Sequence, residues 1–159
     1  MVIIENRIVY LATPRSASRS TSALLVSLGG VLRRPHHTPI SAVMAVNLPT
    51  ITLLRDPAHI MLSFWWRTLC KMPLLEYIET GFEPLFASDH IYPYYRVTDE
   101  YFLYSKGVKA FAEHLGFTDI PEIPRIGIRS PDYTLLTEEH RDAIRKRFPQ
   151  DVELFDSFS

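Results

Sequence analysis

Two short stretches carry residue types whose spacing suits the binding of a phosphate. The first is Thr13-Pro14-Arg15-Ser16-Ala17-Ser18-Arg19-Ser20, a polar loop between an apolar run and a helix-like segment. Successive backbone N–H groups, hydroxyls and two guanidiniums before a helix make an anion cradle, because a helix start attracts negative charge and arginine meets oxyanions with paired hydrogen bonds. The loop is not a Walker A motif, since the paired glycines and the Lys-Ser/Thr ending are missing. The second stretch is Arg55-Asp56-Pro57, with Ser63 further along the segment that follows. A charged Arg closing a run of Ile, Thr and Leu is either a solvated rim residue or an anion ligand. Each stretch alone also reads as an ordinary solvated turn; together they place two cationic ends on one edge of a single sheet.

The elements needed to hold those ends can be read from the apolar pattern. Arg7–Ala12 is a nearly continuous apolar run of strand length, as expected for a strand buried on both faces. Thr21–Leu28 reads as a helix stopped by Gly29-Gly30. A short strand is expected at Val31–Arg34, a helical segment at Ile40–Val46, and a second buried strand at Thr50–Arg55. Asp56-Pro57 suits a helix start, with Asp as cap and Pro at the first helical position, and the helix continues towards Cys70. Another helix is expected from Pro73 to near Gly81, a strand at Glu100–Tyr104, a helix at Lys106–Leu115, and a final amphipathic helix starting at Thr137-Glu138-Glu139. The Tyr- and Pro-rich stretch Phe82–Thr98 has no clear assignment. Alternating strands and helices predict a three-layer α/β sandwich with a mostly parallel sheet, in which ligands sit beyond the C-terminal strand ends.

With the two stretches in place, the sequence resembles the sulfotransferase superfamily that uses 3′-phosphoadenosine-5′-phosphosulfate (PAPS) as sulfonate donor. "TPRSASRS" is similar to the family's strand followed by Pro-Lys/Arg-Ser-Gly-Thr-Thr, and "TITLLRDPAHIMLSFWWR" to its strand ending in Arg-Asp-Pro with a Ser eight residues after the Arg. "EYFLYSKGVKAFAEHLGF" and "LTEEHRDAIRKRFPQDVELFDSF" also resemble family segments, with Asp151 and Leu154-Phe155 in the latter. The resemblance implies a P-loop-like nucleotide-binding sulfotransferase fold over a single domain, residues 1–159. It further implies that Arg15, Ser16, Ala17, Ser18, Arg19 and Ser20 hold the 5′-phosphosulfate, and that Arg55 and Ser63 hold the 3′-phosphate. Arg15 would stabilise charge on the bridging oxygen. The product would be adenosine 3′,5′-bisphosphate, with no metal required. Ala17 stands where the family usually has Gly, Arg19 where a hydroxyl residue is usual, and the region between the two motifs is shortened.

Transfer to a hydroxyl or amine also needs a base. His36 and His37 follow the expected second strand, and an imidazole with a pKa near 6.5 suits proton abstraction at neutrality. His37 is slightly preferred; both also fit a surface loop beside Pro35 and Pro39, and His90 is a fallback. His59, His114 and His140 look incidental. Tyr92, Tyr94, Tyr95 and Arg96 are placed to shape an acceptor cleft, and Arg129 to reach the 3′-phosphate. Phe64-Trp65-Trp66 reads as core. Two other readings stay open: a non-catalytic or degenerate nucleotide-binding relative, and a nucleotide-dependent phosphotransferase, the latter disfavoured by Arg55 standing where a Walker B carboxylate would follow the strand.

Composition bounds the rest. The chain has 159 residues, 47% hydrophobic and 22% charged, with 2 Trp, 8 Tyr and 9 Phe. That is one domain's worth of sequence with enough apolar mass for a core without staples. A net charge of −1 argues against a chain built to coat nucleic acid, so an anion site must be assembled locally. The expected partner is a small-molecule or glycan acceptor. Cys70 is the one cysteine, which suits a reducing, cytoplasmic setting and reads as a buried bystander. Met1–Ala12 carries Glu5 and Arg7 and does not read as a signal peptide, and no apolar run approaches the ~18 residues of a membrane span.

Overall fold

The computed structural model describes residues 1–13, 15–33, 40–68, 70–80, 98–123, 126 and 131–159. Among them, one five-stranded sheet is built from β1 (Val2–Ile4), β2 (Ile8–Leu11), β3 (Val31–Leu32), β4 (Thr50–Leu54) and β5 (Glu100–Leu103), in the order β3-β1-β2-β4-β5. The described helices are α1 (Ser18–Ser27), α2 (Ile40–Met44), α3 (Pro57–Arg67), α4 (Leu74–Thr80), α5 (Val108–His114), α6 (Glu138–Arg147) and α7 (Pro149–Asp156). The chain is therefore α/β, as its alternating pattern predicts.

The sheet is mixed, which corrects the expectation of a mostly parallel one. β2 and β4 pair in parallel, as do β4 and β5, whereas β1 runs antiparallel to both β2 and β3. The cause is a tight hairpin at the start of the chain. Glu5 and Asn6 both take positive φ, 48° and 54°, and the Arg7 N–H closes the turn on the Ile4 carbonyl at 2.9 Å. Two successive left-handed residues match the twist of a two-stranded ribbon.

Side-chain alternation divides the core into two sides. Val2, Ile4, Tyr10, Ile51, Leu53 and Phe102 face one way and pack with Leu25 of α1 and Phe111 of α5. Ile3, Val9 and Leu11 face the other way and meet Val43 of α2. On that same side Leu54 joins the cluster formed with α3, α4, α6 and Phe148. Helices thus cover both faces of the sheet, giving three layers.

Local signals explain the boundaries. Asp56 accepts a hydrogen bond from the Ala58 N–H at 2.8 Å, with Pro57 opening α3. α1 ends on Gly29 at φ 94°, and the Gly30 N–H returns to the Leu25 carbonyl at 2.8 Å. Thr137 and His140 form a reciprocal capping box at α6, whose last turn carries Arg145, Lys146 and Arg147 against the negative dipole end. The final helical stretch is broken at Phe148-Pro149 into α6 and α7, because proline cannot continue a hydrogen-bonded turn. Cys70 is exposed, at φ 54° just past the end of α3, rather than buried as expected. Among the described residues, no helix is long and apolar enough to cross a membrane.

Candidate functional site

The parallel strands β2, β4 and β5 end on one edge of the sheet, and the residues beyond those ends converge there. Arg55 is the centre of the arrangement. Its side chain, only 8% exposed, donates through Nη1 to the backbone carbonyl of Arg15 and through Nη2 to the hydroxyl of Tyr133. Its guanidinium lies over the ring of Tyr104, 5.0 Å from the centroid, and over that of Tyr133 at 5.6 Å. The loop after β2, the end of β4, the turn after β5 and the 3-10 turn Tyr133–Leu135 therefore meet at one buried cation. Among the described residues, Arg55 Nε is buried with no hydrogen-bond partner. A guanidinium has five donors, and a buried unsatisfied donor costs free energy, so an acceptor at Nε would stabilise this group.

The loop beside it is held from within. Thr13 and Ser16 share a hydroxyl–hydroxyl bond, Ser16 Oγ donates to the Thr13 carbonyl at 2.8 Å, and Thr13 Oγ1 reaches the Leu53 carbonyl at 3.4 Å. The hydroxyl of Ser16 is thus turned into the protein, where it fixes the loop to the end of β4. Arg15 and Ala17 are both left-handed, at φ 62° and 54°, and Ala17 precedes α1 without a side-chain cap. Glycine takes this conformation without a Cβ penalty. Ala17→Gly is expected to stabilise the fold by about 0.5–1 kcal/mol if relief of strain outweighs the added freedom of the unfolded chain. Thermal unfolding checks it, and a loss of stability would show that Ala17 is not strained.

Charge around the loop is one-sided. The Arg15 guanidinium sits 5.2 Å from the centroid of the Phe64 ring. Burial, together with the nearby guanidiniums of Arg67, Arg19 and Arg55, lowers its pKa to about 10, so it stays charged at neutrality. Among the described residues none of these four arginines is in an ion pair. Asp56, the nearest acid in sequence to Arg55, is turned to Arg141 at 3.2 Å and to the cap of α3. Four cations with no ion-pair partner among the described residues, on a chain of net charge −1, concentrate positive potential on this edge.

The remaining residues singled out by the sequence fall as follows. Ser18 is buried at the start of α1 and Arg19 is exposed. Ser20 Oγ accepts from the Ile126 N–H at 3.2 Å, tying the C-terminal part of the chain to α1. Ser63 is buried on α3, one turn before Arg67. His36, His37, His90, Tyr92, Tyr94, Tyr95, Arg96 and Arg129 lie outside the described residues. Trp65 packs against the α-helical cluster, as the core reading of that stretch expects. Two residues of the edge escape a reading of motifs: Tyr133, which bonds Arg55 across 78 positions, and His59, whose ring lies 4.4 Å from that of Tyr133. Among the described residues no group of His, Cys, Asp and Glu could hold a metal ion. Among the described residues, a concavity of ≈ 400 Å³ opens between Met44, Leu48, Thr50 and Asp99, and one of ≈ 80 Å³ between Asp56, Pro57, Arg141, Ile144 and Val152.

Compared with protein-family models, curated proteins and solved structures, the chain matches none of them.

Proposed function

We propose that this edge binds the phosphate groups of PAPS and that the protein transfers its sulfonate to a hydroxyl or amine acceptor. One observation carries the reading: Arg55 links the end of β4 to the Arg15 loop inside a cluster of arginines that lacks any carboxylate partner among the described residues. Such a cluster fits a multiply charged oxyanion ligand better than a solvated rim, because neighbouring guanidiniums with no ion-pair partner among the described residues repel one another and a bound anion offsets that repulsion. The orphaned Nε of Arg55 fits the same ligand. The P-loop-like sulfotransferase fold is proposed together with this function, on the polar loop between β2 and α1 and the Arg-Asp-Pro start of α3.

PAPS supplies an activated sulfonate and a phosphate leaving group. The chain's own part is positioning and electrostatics. Arg15 and Arg19 face the 5′ end of the donor and offset the charge that grows there, with Ser18 and Ser20 lining the same loop. Ser16 contributes by fixing the loop, since its hydroxyl is engaged with Thr13. Arg55 and Ser63 face the 3′-phosphate and set this donor apart from ATP. His37 or His36 serves as the base that takes the acceptor's proton.

Transfer of labelled sulfonate from PAPS to a panel of sugars, phenols and amines tests the proposal. Labelled product with release of adenosine 3′,5′-bisphosphate is the expected result. Binding of the nucleotide with no transfer to any acceptor would overturn the enzymatic half. It would favour a non-catalytic nucleotide binder, the reading that Ala17 in a left-handed position usually given to glycine also suits.

A further inference from the structure

We propose that His59 is a further ligand-binding residue of this edge, engaging a bound dianion as imidazolium. The inference rests on the reading of the Arg15–Arg55 edge as an anion site and adds a proton to its chemistry.

The helical repeat places His59 in line with that site. His59, Ser63 and Arg67 stand four residues apart on α3, so they share one face of the helix, and Arg55 precedes His59 by the same interval. Tyr133 joins the two ends directly. Its ring packs on His59 at 4.4 Å between centroids, while its hydroxyl and face hold the Arg55 guanidinium. On its other side His59 Nε2 lies 3.6 Å from Asp56 Oδ2, an oxygen that Arg141 also holds at 3.2 Å. Among the described residues, the groups facing the imidazole are therefore one carboxylate, two guanidiniums and a phenol.

That balance holds the His59 pKa below its ordinary value in the free protein. Burial lowers the His59 pKa, Asp56 opposes this, and Arg55 and Arg141 lower it further. A dianion arriving at Arg55 offsets that guanidinium and shifts the balance toward the protonated ring. The imidazole then takes up a proton and adds a charge-assisted contact to the ligand. By linkage, anion affinity rises as pH falls, by up to about tenfold per pH unit for one proton.

Inorganic sulfate is the probe, because it stays a dianion over the range in which imidazole titrates. Its affinity for the full chain is measured near pH 8 and near pH 6, for the natural sequence and for His59→Gln, with NMR titration of the His59 ring in parallel. The natural sequence is expected to bind several-fold more tightly at the lower pH, and sulfate to raise the His59 titration midpoint. His59→Gln should bind as well as the natural sequence near pH 8 and lose most of the gain near pH 6. An unchanged pH dependence in His59→Gln, or a His59 midpoint that sulfate does not move, would overturn the inference while leaving the anion site intact. Failure of sulfate to bind at either pH would overturn the anion site and the inference together.

Discussion

Arg55→Ala is expected to weaken binding of adenosine 3′,5′-bisphosphate on the order of 100-fold, about 2.7 kcal/mol, in line with loss of one or two charge-assisted hydrogen bonds. The same change removes the contact that ties the Arg15 carbonyl to the end of β4 and leaves the Tyr133 hydroxyl without its donor. Some loss of stability accompanies it for that reason. Arg55→Lys separates the two effects. Lysine keeps the charge and much of the length, but a single ammonium cannot match a planar fork that bridges a carbonyl and a phenol between two aromatic faces. It should fold and still lose at least about tenfold in affinity. Titration calorimetry gives the affinities and circular dichroism the fold. Unchanged affinity in a folded Arg55→Lys variant would show that the guanidinium serves the loop alone.

A second large effect concerns a buried acid. Asp151, in the first turn of α7, is only 6% exposed, and its Oδ1 has no hydrogen-bond partner among the described residues. Burial pushes its pKa up to about 6, with its own backbone N–H opposing the shift only in part. Between the ordinary carboxylate value and about 6, the folded chain therefore holds a proton that the unfolded chain has released. Its contribution to stability is fully present below the unfolded pKa and is lost as pH rises through the folded one. At neutral pH the buried charge then costs up to about 3 kcal/mol. Asp151→Asn keeps the shape without the charge, so it is expected to stabilise the protein by up to that amount at pH 7, with the difference vanishing below about pH 4. Denaturant unfolding at both pH values measures it. A variant less stable than the natural sequence at pH 7 would mean that the carboxylate is compensated after all.

Much of the scaffold is legible in one sequence because its signals are local. The runs around Val9, Ile51 and Phe102 are apolar enough to mark the parallel strands, and Asp56-Pro57, Gly29-Gly30 and Gly116 mark helix boundaries. β1 escaped that reading because it is three residues long and its turn uses Glu5 and Asn6 in left-handed conformations without a glycine to announce them. That omission accounts for the mistaken expectation of a mostly parallel sheet. Cys70 was misjudged for a related reason. Its neighbours Trp65 and Trp66 are aromatic, but α3 ends at Arg67 and the chain turns outward beyond it.

The site divides in the same way. Arg15 and Arg55 were legible as two strand-end cations, since a motif places each relative to its own strand. Their joining through the Arg15 carbonyl depends on the pairing of β2 with β4, which no local spacing encodes. Tyr133 is more distant still: it reaches Arg55 from a separate turn near the C-terminal helices, and nothing in its immediate sequence marks it. His59 looks incidental in the sequence. Its position four residues from both Arg55 and Ser63 was the available signal, and it gains meaning only once Tyr133 is seen to bridge it to the guanidinium.

The most direct test of the account is competition between two nucleotides for the full chain, followed by calorimetry. Adenosine 3′,5′-bisphosphate should bind tightly, and ATP should fail to displace it because it offers no 3′-phosphate to the β4 end. Equal affinity for the two would contradict the account, since the paired strand ends would then be reading phosphate charge in general and not a bisphosphorylated adenosine.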